Sequence, residues 1–335
     1  MAPSISPSAA AALRTYIDDA TTGEPPRLPG AIVQIIDGKN NTLFSHASGG
    51  SILLSAEKSV FLLHSITKIV GTIAFMQLVD RGLATLDDPA IIEKHLLELW
   101  SKKVLTGFEG DGKTPILVDR TTDITPRMLM NHTNGTGHTF FNPLMNKYLA
   151  EGWETRNEVV DPHQTILDAP LMWQPGTHTN YGQGFDWLAV LIERLSGQNL
   201  AAYFEQHIFG PLGLKTIGFE ETYGGDVTSR PENAGNFWPR SFKQPDGTFT
   251  PIDPPVLATV SRKNKSFPEG PYHAFPLGTG LAGTASELAR LLTILVEDNS
   301  GVDPVSGTRI LSAEAVKQIT TPQLPEEVRN ATRVV

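Results

Sequence analysis

A chain of 335 residues suits one large domain or two and can bury a sizeable core without cross-links or metals. Its 27 Lys+Arg against 36 Asp+Glu give a net charge of −9, and an acidic chain with no basic cluster is poorly suited to neutralising nucleic-acid phosphates. Cysteine is absent, which excludes disulfides, thiolate metal sites and cysteine nucleophiles and suits a cytoplasmic protein.

The start, MAPSISPSAAAALRTYIDDA, lacks a basic leader region and a continuous apolar core, and reads as a short amphipathic helix. Ala31 to Ile36 and Thr42 to His46 are strand-like runs joined by a turn carrying Asp37-Gly38 and Asn40-Asn41. A third apolar run, Ser59 to Leu63, leads into Ser65. From there SITKIVGTIAFMQLVDRG reads as a helix ended by Gly82, with Ser65 in its first turn. Its apolar positions, Ile66 through Val79, cover most of the circumference, which places it at the centre of the protein. The stretch Ile69 to Val79, bounded by Lys68 and Asp80, is too short to cross a membrane, so a soluble protein is expected.

Downstream, the pattern predicts a helix over Ile92 to Trp100 and a hairpin over Lys103 to Val118. A short helix over Thr125 to Asn131 and helices at Phe185 to Ser196 and Leu200 to Phe209 follow. Tyr223 to Pro276, rich in Pro, Gly and aromatics, reads as a long excursion. Thr284 to Glu297 is a helix opened by the capping box Thr284-x-x-Glu287.

Two nucleotide patterns occur. Gly107 to Thr114 matches the phosphate loop letter for letter, but Pro115 and a strand-like run follow where a helix is required, so a hairpin turn is the reading. Gly278 to Gly283 is a GxGxxG with no core strand before it, and reads as a glycine-rich turn into the capped helix. No histidine spacing signals a metal, and no cofactor is required. There is no GxSxG elbow either.

Ser-x-x-Lys occurs at Ser55 to Lys58 and at Ser65 to Lys68. The first lies in a polar segment where Lys58 can point at water. In the second, Ser65 opens the buried helix and Lys68 follows one turn later on the same face. Ser65 can be an ordinary N-cap. Lys68 is harder to explain structurally, because burial and the positive end of the helix both disfavour an unpaired ammonium there. An amine beside a hydroxyl is what a serine nucleophile needs. A relay group can come from WQPGTHTNYGQGFD, where Tyr181 sits in a tight Gly-flanked loop; an anchoring tyrosine is the alternative.

FLLHSITKIVGTIAFMQLVDRGLATLDDP, LMNHTNGTGH, the Tyr181 segment continuing through QHIFGPLGL, and LGTGLAGTASELARLLTIL occur in order from about Ala31 to Pro322. This ordered set resembles the serine β-lactamase and penicillin-binding-protein superfamily, in its branch of class C-like esterases and transesterase acyltransferases, including the lovastatin type. The resemblance implies an α+β, β-lactamase/transpeptidase-like fold over residues 1–335 as a single domain, with a helical region at about 83–275 packed on an antiparallel sheet. It implies Ser65 as acylated nucleophile, Lys68 as activating amine, Tyr181 as general base or proton relay and Gln183 as a donor to a substrate carbonyl. The partners implied are a small-molecule acyl donor and water or an alcohol. The aromatic-rich excursion, with Phe237, Trp238, Phe249, Phe267 and Tyr272, is a candidate wall of the acyl pocket or ordinary loop anchoring.

The family's third motif, Lys-Thr-Gly or His-x-Gly on a late strand, is not found after the Thr284 helix. The expectation is therefore a sheet lacking its C-terminal strands, a central helix with an exposed apolar patch, and a missing oxyanion donor worth on the order of 3 kcal/mol. A catalytically impaired, truncated binding module is the alternative to an active enzyme.

Overall fold

A computed structural model describes residues 3–49, 54–150, 162–221, 224–238, 241–251 and 277–332. Ser6 caps α1 (Pro7–Thr22) by accepting the Ala9 N–H, with Pro7 ready-set for the first turn. The predicted hairpin is β1 (Gly30–Ile36) and β2 (Thr42–Gly49), antiparallel with Gly30 opposite Gly49. Its turn forms because Asp37 Oδ1 accepts both the Lys39 and Asn41 N–H groups at 2.8 Å while Asn40 adopts φ 65°. Helix α1 lies on β2 and buries Ile17, Ala20 and Thr21.

Next come β3 (Val60–Leu62), a 3₁₀ turn at His64–Ile66 and α2 (Thr67–Asp80). The predicted helix over Ile92 to Trp100 is two, α3 (Ala90–His95) and α4 (Leu97–Trp100), because Leu96 leaves helical geometry at φ −134°, ψ 56°. Strands β4 (Val104–Phe108) and β5 (Pro115–Val118) form the second hairpin. Asp111 takes the Lys113 and Thr114 N–H groups at its turn, so the phosphate-loop lettering builds a tight turn. Helices α5 (Pro126–Met130), α6 (Pro143–Ala150), α7 (Pro162–Asp168) and α8 (Gly184–Ser196) follow. The next predicted helix runs as α9 (Leu200–Phe204), a π turn at Glu205–Phe209 and α10 (Gly210–Leu212).

The chain then supplies β6 (Gly218–Phe219), a small hairpin of β7 (Ser241–Lys243) and β8 (Phe249–Pro251), and β9 (Leu281–Thr284). It ends in α11 (Ala285–Leu292), α12 (Ala313–Thr320) and α13 (Glu326–Thr332). Helix α11 is shorter than predicted and its capping box is half made. Thr284 accepts the Glu287 N–H, but the Glu287 carboxylate accepts the N–H groups of Lys215, Thr216 and Ile217 instead of reaching back. Three converging donors outweigh the single one a capping box offers. Among the described residues no helix is long and apolar enough to cross a membrane.

Among the described residues β1 and β2 form a two-stranded sheet of their own, and β9 lies between β3 and β6 in a separate three-stranded antiparallel sheet, buried along its length. One sequence expectation is corrected: helix α2 shows no exposed apolar patch. Val70, Ile73, Ala74, Phe75 and Leu78 are fully buried, because α8, α12 and Leu277 cover it from separate directions. Leu277 presses so closely that a Cβ at Gly71 would lie 2.6 Å from it. This covered helix is the rigid base on which Ser65 and Lys68 are mounted.

Candidate active site

Strand β3 delivers the chain to Leu63, whose N–H donates to the Leu281 carbonyl at 2.7 Å. The Leu281 N–H in turn donates to the buried Thr67 hydroxyl at 3.1 Å, so the first residue of β9 holds both sides of the serine turn. Within that turn His64 takes φ 47°, a left-handed conformation rare for a residue with a side chain. Ser65 stands in the 3₁₀ turn ahead of α2 and caps neither element. Its exposed hydroxyl lies 2.7 Å from the Tyr181 hydroxyl. The ordinary N-cap explanation of this serine is therefore excluded.

Lys68, second residue of α2 and half-buried, donates to Ser65 Oγ at 3.1 Å, to Tyr181 OH at 2.6 Å and to the Gly278 carbonyl at 2.7 Å. An ammonium has three donors, and these contacts employ all of them, which fixes the nitrogen in one place. Its Nζ also lies 4.8 Å from the Tyr181 ring centroid and 5.7 Å from that of Phe185. The GxGxxG segment thus reaches the site through a backbone carbonyl and through Leu281, a connection its lettering did not suggest. The rival pair is inert by geometry: Ser55 Oγ donates to Glu57 and Lys58 is exposed.

Tyr181 is held by packing between two loops. Asn180 donates its N–H to the His132 carbonyl and its side-chain amide to the Thr136 carbonyl, both at 2.9 Å. The glycines around the tyrosine are a steric requirement. A Cβ at Gly182 would lie 2.3 Å from the Thr136 carbonyl oxygen, and one at Gly184 would lie 2.4 Å from that of Leu129. On the facing loop Asn134 closes its own turn by accepting the Thr136 N–H and donating to Met128. Gln183 is the N-cap residue of α8 and is 1% exposed, so the contact to a substrate carbonyl implied by the resemblance has no exposed amide to make it.

His132 joins these loops. Its ring packs 4.9 Å from Tyr181 and 5.5 Å from Phe185, with His138 5.4 Å from Tyr181 on the same side. Burial first, then the Lys68 charge, then His138, hold His132 down to about 4 from 6.5, and its buried Nδ1 makes no hydrogen bond. The unfolded chain takes up a proton on this imidazole near pH 6.5 while the folded chain resists until about 4. Lowering the pH through that window therefore favours unfolding. In urea titrations at stepped pH, His132→Asn should lose less stability across the window than the wild type, since Asn tolerates the φ of 61° found here. Parallel pH dependences for the two proteins would refute this account of His132.

The aromatic excursion divides. Phe237 packs against Val60, Val227 and Ala282, and Trp238 lies over Phe61 and against Gly30, so both anchor the loop to the sheets. Phe249 sits in the β7–β8 hairpin under Lys243. Phe267 and Tyr272 lie outside the described residues. Thr67, His132 and Gly278 lie within the segments that carry the resemblance, but their contacts at the site are with neighbours far along the chain, which local pattern does not show.

A family model described as Beta-lactamase matches residues 18–333. Among curated proteins, lovastatin esterase of Penicillium rubens is 34% identical over 61% of this chain and 52% of its own length. Monacolin J acid methylbutanoyltransferase of Aspergillus terreus is 30% identical over 61% of this chain and 51% of its own length. Acyltransferase calJ of Penicillium decumbens is 28% identical over 91% of this chain and 72% of its own. The chain thus spans about half the length of the first two of these relatives. Among solved structures, the unliganded simvastatin synthase LovD of Aspergillus terreus aligns with a TM-score of 0.74 at 22% identity, over 96% of this chain and 74% of its own, which shows a shared fold.

Proposed function

The chain belongs to the Beta-lactamase family, and on that footing we propose that it is a serine acyl-enzyme hydrolase or acyltransferase acting on an ester, thioester or amide. The observation that carries this reading is the closed triangle of Ser65, Lys68 and Tyr181 beneath an exposed serine hydroxyl. Ser65 Oγ attacks the acyl carbon as its proton crosses the 2.7 Å contact to the Tyr181 oxygen. The trio holds the same protons whether written as amine with phenol or ammonium with phenolate, and in the second form the Lys68 ammonium at 2.6 Å stabilises the Tyr181 phenolate until it takes the serine proton. Collapse of the tetrahedral intermediate breaks the bond to the leaving group, which takes its proton from Tyr181. Water or an alcohol then attacks the seryl ester, gives its proton to Tyr181, and Ser65 recovers that proton on release.

The test is incubation with a fluorophosphonate and a nitrophenyl ester, followed by peptide mapping. One label per chain on the peptide bearing Ser65, with ester turnover, is expected. Labelling at Ser55 would overturn the assignment. Absence of label and turnover in a folded protein would favour the impaired binding module.

A further inference from the structure

We propose that the cleft at the far end of α2 from Ser65 is a second binding site, for a small hydroxylated organic anion. Its carboxylates meet Arg81 and Arg309, and its hydroxyl donates to Gln77. The cleft has a volume of about 500 Å³, room for an organic acid rather than a single ion. It lies between the last turn of α2, the π turn at Glu205–Phe209 and residues 308–312 ahead of α12. Gln77 is about 14 Å along the helix axis from Lys68, so the cleft is separate from the catalytic triangle.

Gln77 lines the cleft although it is only 5% exposed. Its Nε2 donates to the His207 carbonyl at 2.9 Å and to the Ile310 carbonyl at 3.2 Å. These bonds fix the amide, since a flip would set its oxygen against two carbonyl oxygens. The buried Oε1 is therefore an acceptor, and it has no hydrogen-bond partner. An acceptor left in that state is costly, and a hydroxyl entering from the cleft satisfies it.

Two guanidinium groups line the same cleft without a counter-charge. Arg127, Arg194, Arg230 and Arg290 each pair with a carboxylate, whereas among the described residues neither Arg81 nor Arg309 does. Both are nevertheless held. Arg81 donates to His207 Nδ1 at 3.1 Å and lies 5.7 Å over the Tyr203 ring. Burial first, then the Arg81 charge, keep His207 below its usual range, so the ring stays neutral and accepts. Arg309 Nη1 donates to the Ser300 and Leu311 carbonyls at 2.9 and 3.0 Å. The other N–H groups of the two forks are left for carboxylates. The acidic side chain of the lining, Asp80, is already occupied, its two oxygens accepting the Ser312 N–H at 2.8 Å and the Ser312 hydroxyl at 2.6 Å. Water in the cleft satisfies Gln77 but neutralises neither arginine. A hydroxy acid serves all three.

The experiment is isothermal titration calorimetry of the full chain with citrate and with tricarballylate, which is citrate without its hydroxyl. Citrate should give saturable, one-to-one heat, and tricarballylate should bind about fivefold more weakly. Arg81→Gln and Arg309→Gln should each weaken citrate binding by about tenfold or more. Arg329→Gln, which removes an exposed charge from α13, should leave it unchanged. Arg81 and Arg309 are exposed, so their variants should fold, and circular dichroism melting checks this. Should Arg309→Gln unfold, Arg309→Lys keeps a donor for the two carbonyls but loses the fork, and should also bind citrate more weakly. Four results each overturn the proposal: no saturable heat, equal affinity for the two acids, unchanged affinity in the Arg81 and Arg309 variants, or an equal loss in Arg329→Gln.

Discussion

Ser65→Ala is expected to abolish fluorophosphonate labelling and to cut ester turnover by roughly a millionfold, to the level of the unacylated background. No neighbouring hydroxyl can replace it, since Ser65 Oγ is the oxygen that both Lys68 and Tyr181 contact at the exposed end of the triangle. Tyr181→Phe removes the oxygen that takes the proton while keeping the ring contacts with His132 and Phe141, and should lower kcat by roughly a hundredfold to ten-thousandfold. Lys68→Met should fall in the same range. The informative result is the combination. Groups that act as one unit lose their effect together, so the Lys68→Met, Tyr181→Phe double variant should be scarcely slower than the worse single variant. Losses that multiply would mean that the two residues act independently, contrary to the proposal.

Gly135→Ala should cost about 3 kcal/mol of stability, read as a shift in the urea unfolding midpoint. Two costs combine. Gly135 has φ 87°, and its added Cβ would lie 2.4 Å from the Trp173 carbonyl oxygen, a backbone atom that cannot swing aside. The comparison is Gly197→Ala at the end of α8, where φ is 69° but nothing lies within 4 Å, so only the backbone cost of about 1 kcal/mol remains. The Gly135 carbonyl also accepts the Met172 N–H at 2.7 Å, which ties the His132 loop to the segment leading to Tyr181. The surviving folded fraction should therefore lose activity as well. Equal destabilisation at the two glycines would show that the close contact with Trp173 costs nothing.

Features whose causes lie within a few residues are legible in the chain itself. The turn at Asp37 to Asn41, the hairpin at Asp111 and the burial of α2 all follow from local hydrogen bonding or from apolar residues on every side. The pairing of Ser65 with Lys68 is equally local, being one helical turn, and separating it from Ser55 and Lys58 needs only the apolar context. Elements depart from expectation where a distant partner competes. Glu287 leaves its capping box for the backbone of Lys215 to Ile217, and Gly278 to Gly283 becomes a turn and a central strand because Val60 to Leu62 and Gly218 to Phe219 are available on either side to pair with it.

The sequence by itself therefore determined the core helix, the hairpins, the serine with its lysine, and membership of the family through the order of its motifs. Only the tertiary structure decided that Tyr181, 116 residues from Ser65, touches it, and that Gly278, 210 residues from Lys68, holds the amine in place. It also showed that Phe237 and Trp238 anchor their loop to the sheets. Helical periodicity and turn chemistry act over a few residues and can be read from them. Contacts between segments depend on which surfaces can approach, and here that rests on glycines that let one backbone lie against another.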